Sequence, residues 1–261
     1  MTVRPRLICL PPAGAGPSLF RSWVHSESVF DVTPVALPGR EAHFTKPLPR
    51  DIQSLAQHVG HEVSGLLQAP YALFGYSMGA VVAYELLRHI SIRGLPLPDA
   101  LYILGSNAPD RVLEGRKPIH VMSSEDFHQS LVEIGGTPDE ILRDKEAMAL
   151  FEPVLRNDFR ICETYEFTPP HVPVTLPVHV FVADADHLVS WNAARAWESC
   201  IGQDVIMHRI EGSHMLAPQA FAHFIGKLGQ CGKPIRCRQG LFQRKRHEPD
   251  LRCESDGCDG Q

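Results

Sequence analysis

Between Tyr71 and Leu87 two apolar runs, YALF and AVVAYELL, are separated only by Gly75-Tyr76-Ser77-Met78-Gly79. The first has the length and character of a buried strand and the second of a helix, and five residues with glycine at either end leave room for a sharp turn and nothing more. A strand, a tight turn and a helix in direct succession form half of a βαβ unit. The chain is therefore expected to be an α/β protein with a mostly parallel central sheet.

The flanking sequence keeps that alternation. Leu7–Leu10, Val32–Leu37, Ala100–Leu104, Val178–Ala183 and Val205–Ile210 read as further strands. Apolar positions at helical spacing follow Asp51, a plausible cap, and recur over Asn192–Ile201 and over Pro218–Leu228, which has proline at the favoured first turn. From Ser106 to Pro177 the alternation breaks: helical stretches (Ser124–Ile134, Thr137–Val154) occur without a convincing strand. An insertion of that length, at about 107–176, is expected to be a lid or substrate-binding subdomain.

Composition sets the class. At 261 residues, 44% hydrophobic and 21% charged, the chain can bury a full core. A net charge of −5 gives no reason to expect nucleic-acid or polybasic membrane binding. No run approaches the roughly 18 apolar residues of a membrane span, and the apolar run before Pro11-Pro12 is too short for a signal-peptide core, so a cytoplasmic location is expected. Residues 229–261 differ from the rest. They hold seven Lys/Arg against five Asp/Glu, few aliphatics and four cysteines: Cys231, Cys237, Cys253 and Cys258. Only the last pair has a spacing that suits a zinc knuckle. The segment is expected to be a disordered tail after a domain of residues 1–228.

The turn at Ser77 matches G-x-S-x-G. Chance alone gives roughly 0.1 such matches in a chain of this composition, so the bare motif is weak evidence. Its place between strand and helix is what a nucleophile elbow needs: the hydroxyl is held out at the N-terminus of a helix, whose dipole favours a developing anion. Serine needs a base. Of 14 histidines, His214 in EGSHM (211–215) follows a strand directly and so belongs on the rim where α/β sites form; His187 is its rival, while His58, His61, His89 and His128 read as solvated helix positions. The base needs a carboxylate. Asp184 and Asp186 both follow the strand VHVFVA, and Asp186, beyond the strand end, is the better placed. The order Ser77, Asp186, His214 is that of α/β-hydrolases. The oxyanion calls for two backbone N–H groups: Met78, after the nucleophile, and one from PPAGAG (11–16), with Ala13 favoured over Gly14. PPAGAG fails as a dinucleotide fingerprint because Leu19 occupies the third glycine position, and no H-E-x-x-H, Walker A or EF-hand loop occurs, so neither metal nor cofactor is expected. The chemistry implied is acyl transfer through an acyl-enzyme.

Over residues 5–228 the sequence resembles the stand-alone type II thioesterases of polyketide and non-ribosomal peptide synthesis, α/β-hydrolases related to medium-chain acyl-carrier-protein hydrolases. The resemblance rests on LICLPPAGAG (7–16), LPGRE (37–41), FGYSMGA (74–80), GGTP (135–138), LRNDF (155–159), ADADHLV (183–189) and EGSHM (211–215). It implies Ser77 as nucleophile, Asp186 as acid and His214 as base, with Met78 and Ala13 as oxyanion donors, and a helical lid over an acyl chamber. It further implies a monomer acting on acyl or peptidyl carrier proteins, whose phosphopantetheine arm presents the thioester, and a task of removing aberrant acyl groups. Two positions depart from the pattern: Tyr76 stands where many members have histidine, read here as neutral, and Ala183 replaces a common glycine. A medium-chain fatty acyl-carrier-protein hydrolase, a general esterase and a non-catalytic carrier-binding protein are the alternatives.

Overall fold

The computed structural model describes residues 4–68, 70–170 and 175–231; of the tail expected over residues 229–261, Gly229 and Gln230 end the last helix and Cys231 follows it, and the remainder lies outside the described residues. Six strands form one sheet in the order β2-β1-β3-β4-β5-β6: β1 (Arg6–Leu10), β2 (Asp31–Pro34), β3 (Tyr71–Tyr76), β4 (Leu101–Leu104), β5 (Val178–Ala183) and β6 (Ile206–Ile210). Every pairing is parallel. β3, β4 and β5 are buried at every residue, as strands covered on both faces must be. β2 stops at Pro34 rather than Leu37, because proline gives the ladder no N–H; at this edge position it is tolerated, and Val35 adds one last bond to Cys9 O at 2.9 Å.

Helices cover both faces. α1 (Arg21–Val24) and α9 (Pro218–Gln230) pack Trp23, Phe221 and Phe224 against Phe74 and Phe181 on one side. On the other lie α2 (Ile52–Glu62), α3 (Met78–Ile92), α7 (Trp191–Arg195) and α8 (Trp197–Ile201), with Leu55, Val59, Val82, Leu86 and Trp197 over Ile8, Leu73, Ile103 and Val180. Asp51 caps α2 as expected: its carboxylate accepts Ser54 N–H at 2.6 Å. The single helix expected over Asn192–Ile201 is two short ones, α7 and α8.

Between β4 and β5 stand α4 (Ser124–Ile134), α5 (Asp139–Arg143) and α6 (Lys145–Glu163), with a small core of Phe127, Leu131, Met148 and Leu155. The helix expected over Thr137–Val154 is divided at Asp144, whose carboxylate caps α6 through Glu146 N–H and Ala147 N–H. α6 then continues nine residues past Val154 despite Pro153. An interior proline costs about 3 kcal/mol. The added turns bury Leu155, Asp158 and Ile161, and that burial offsets the cost.

Candidate active site

β3 and α3 meet at Ser77, whose φ of 50° is a strained value for a residue with a side chain. Its glycine neighbours make the turn possible. A Cβ on Gly75 would strike the backbone of Gly79 and Ala80, and one on Gly79 would strike the carbonyl of Leu10. The first glycine closes the turn, and the second lets the end of β1 press against it. Ser77 N–H donates to Leu104 O at 2.9 Å, fastening the turn to β4.

Two side chains from far along the chain converge on the serine. His214 Nε2 lies 3.0 Å from Ser77 Oγ, and His214 Nδ1 lies 2.9 Å from Asp186 Oδ2. A carboxylate can only accept, so Nδ1 carries the proton and Nε2 offers its lone pair to the serine hydroxyl. The Asp186 side chain is fully buried. Its second oxygen accepts from Leu188 N–H at 2.8 Å and Val189 N–H at 3.1 Å, which fixes the carboxylate against rotation.

The sequence alternatives separate here. Asp184 is exposed and turned to the backbone: its Oδ1 accepts from Gly212 N–H at 3.0 Å, so it braces the loop that carries His214. His187 is exposed, whereas His214 is buried. Gly14 N–H donates to Asp158 Oδ2 at 2.8 Å and is thereby committed. Met78 is the first residue of α3, where the helix offers its N–H no partner.

Three residues have roles that the motifs did not disclose. Tyr76, read as neutral, holds the loop that carries His214: its hydroxyl donates to His214 O and accepts from Leu216 N–H, each at 2.8 Å. Burial pushes its phenol well above the ordinary value, so it stays protonated and able to donate. Arg40 of LPGRE and Asp158 of LRNDF form a buried two-pronged ion pair at 2.6 and 2.8 Å. Arg40 also donates to Pro38 O and Ala15 O, while Asp158 holds Gly14. The PPAGAG loop is thus tied to α6 and to the 37–41 loop together. Glu41 adds a second tie through Ser18 N–H and Oγ. Both motifs were visible in the sequence, but neither marks the other as its partner.

Ser77, Met78, Ala13 and His214 open onto a cavity of about 700 Å³. The lining includes the polar residues Arg40, Glu41, Asn107, Arg116 and Glu163, and much of the wall is apolar, from Leu131, Ile134, Ile141, Val154, Leu155 and Phe159 of α4–α6. Among the described residues, no helix is long and apolar enough to cross a membrane.

A family model described as a thioesterase domain matches residues 5–230. The gramicidin S biosynthesis protein GrsT of Aneurinibacillus migulanus is 31% identical over 210 residues, spanning 80% of this chain and 81% of the relative. Among solved structures, the RedJ thioesterase from the prodiginine biosynthetic pathway of Streptomyces coelicolor superposes with a TM-score of 0.79 at 30% identity, covering 88% of this chain and 91% of its own. YbtT, a type II thioesterase from the yersiniabactin pathway, gives 0.77 at 31%, covering 87% and 92%.

Proposed function

Because the chain belongs to the thioesterase domain family, we propose that it is a serine thioesterase of the type II kind, releasing acyl groups from the phosphopantetheine arm of acyl or peptidyl carrier proteins. The observation that carries this reading is the hydrogen-bonded Ser77–His214–Asp186 chain, whose Ser77 and His214 line a largely apolar cavity. Ser77 Oγ attacks the thioester carbonyl as His214 Nε2 takes its proton. Asp186 stabilises the imidazolium that results. The carbonyl oxygen, now negative, is held by the N–H groups of Met78 and Ala13. When the tetrahedral species collapses, His214 returns the proton to the departing pantetheine sulfur and Ser77 keeps the acyl group. A water, activated by the same histidine, then adds to the acyl-enzyme and releases the acid.

In this reading Arg40 and Asp158 are positioning residues. Gly14 N–H is bound to Asp158, and their part is to hold the loop whose Ala13 N–H serves as the second oxyanion donor. Helices α4–α6 act as the lid over the acyl chamber, and their side chains set the acyl preference. The pathways of the relatives suggest editing, the removal of acyl units that block an assembly line, with the protein acting as a monomer in the cytoplasm.

The test is a hydrolysis profile over carrier proteins loaded with acyl groups from acetyl to decanoyl, run beside acyl-pantetheine and simple oxygen esters. Turnover of carrier-bound thioesters well above the free esters is expected, and none with Ser77→Ala. Preference for the simple esters would place the protein among general esterases. Carrier binding without any turnover would make it a non-catalytic binder.

A further inference from the structure

Far from the cavity, three nitrogen and sulfur donors converge on one spot. His179 stands near the start of β5, His208 in the middle of β6, and Cys231 one residue past the end of α9. Their donor atoms all lie within 4.8 Å of one another. His179 Nδ1 is 3.0 Å from His208 Nε2, and Cys231 Sγ is 3.9 Å from that same nitrogen. The register explains the meeting: Phe181 lies opposite His208 and His179 opposite Ile206, so both rings emerge on the face that α9 covers. Aromatic neighbours hold them, with Tyr102 stacked on His179 at 5.2 Å and Phe181 on His208 at 4.4 Å. His214 follows the other end of β6, and the 13 residues of α9 separate its loop from Cys231 by about 20 Å.

His208 Nε2 has either one lone pair or one N–H, yet it faces both His179 and Cys231. As an acceptor it can serve one of them, and as a donor also only one. A cation can take a lone pair from all three atoms at once. His179 is buried, while His208 and Cys231 are half-buried, which leaves a way in from solvent.

We propose that His179, His208 and Cys231 form a Zn²⁺ site with a fourth position open to solvent. Two imidazoles and a thiolate suit zinc and not the oxygen-seeking Mg²⁺ or Ca²⁺. Binding releases the Cys231 thiol proton to solvent and joins the C-terminal end of α9 to β5 and β6. The site is a structural staple: the other end of α9 stacks Phe221 on Tyr76, the residue that supports the His214 loop.

The test uses the full chain, freed of metal with a chelator and titrated with Co²⁺ and then Zn²⁺. One Co²⁺ per chain is expected, with a thiolate-to-cobalt charge-transfer band that Zn²⁺ removes. Zinc in 100-fold excess over its Kd is expected to raise Tm by about 5 °C. Cys231→Ser, at a half-buried position after the helix, should fold normally, lose the band and bind zinc at least about tenfold more weakly. His208→Gln should weaken binding similarly. A variant with serine at Cys237, Cys253 and Cys258 should keep both band and affinity. The proposal is overturned if the wild type binds no cobalt, if Cys231→Ser keeps the band, or if the triple-serine variant loses it.

Discussion

Around Ser77 nearly every group is held from more than one direction. The serine is fixed by the turn and by Leu104, Asp186 by two amides, and the His214 loop by Tyr76 on one side and Asp184 on the other. The wall that α4–α6 give to the same cavity is held mostly by side-chain ties within its own segment, such as Arg156 to Glu152, His120 O and Met122 O. It has a core of four buried residues, and Leu150 and Phe151 face the cavity while 60% and 40% exposed. The contrast separates two tasks. Bond making needs atoms placed within a few tenths of an ångström, and the ends of parallel strands supply that. Acceptance of different acyl groups needs a surface that can yield, and that is the task we propose for helices resting on a small core. One feature crosses between the two: Asp158, on α6, grips Arg40 and the loop beside the nucleophile.

The largest expected effect comes from the rigid region. Ser77→Ala and Asp186→Asn should each lower kcat on an acyl-pantetheine thioester by about 10⁴-fold or more, with the far-ultraviolet circular dichroism of the folded protein retained. Cutting the tie between the regions comes next. Asp158→Ala leaves the Arg40 guanidinium buried and unpaired, which should cost about 3–5 kcal/mol in urea unfolding. The milder Asp158→Asn should lower kcat by about 10–100-fold with KM nearly unchanged, because in the proposed mechanism it loosens the loop that carries an oxyanion donor and leaves substrate contacts intact. An unaltered kcat in a folded Asp158→Asn protein would show that the loop holds its place unaided.

Tyr76→Phe removes one hydroxyl that serves both His214 O and Leu216 N–H. The loss of both bonds in a buried place should cost about 1–3 kcal/mol of stability and lower kcat modestly. The smallest effect belongs to the yielding wall. Val154→Trp, on α6 within the cavity, should lower kcat/KM for decanoyl thioesters by about tenfold while leaving acetyl turnover close to wild type. Equal losses for both chain lengths would mean that the wall does not select.

Much of this could be read before any coordinates. The strand–turn–helix at Ser77, the parallel sheet and the placing of His214 after β6 follow from local pattern, since strand ends and turns are written in contiguous residues. What escaped depends on pairs remote in the chain. Arg40 and Asp158 are 118 positions apart, and nothing local marks either as the other's partner. Tyr76 looked neutral because its hydroxyl acts on residues 138 and 140 positions away. α6 runs nine residues beyond the expected Val154 because the burial of Leu155, Asp158 and Ile161, which local pattern does not show, outweighs the interior Pro153. The choice between Asp184 and Asp186 turned on side-chain direction, which strand ends two residues apart do not specify.

The central claim is that Ser77 is an activated nucleophile. Incubation of the full chain with a fluorophosphonate, followed by mass spectrometry, probes it directly. The expected result is one adduct per chain, located on Ser77, absent in Ser77→Ala and much slower to form in His214→Ala. A wild-type protein that takes up no label, or a Ser77→Ala variant labelled at the wild-type rate, would contradict the account.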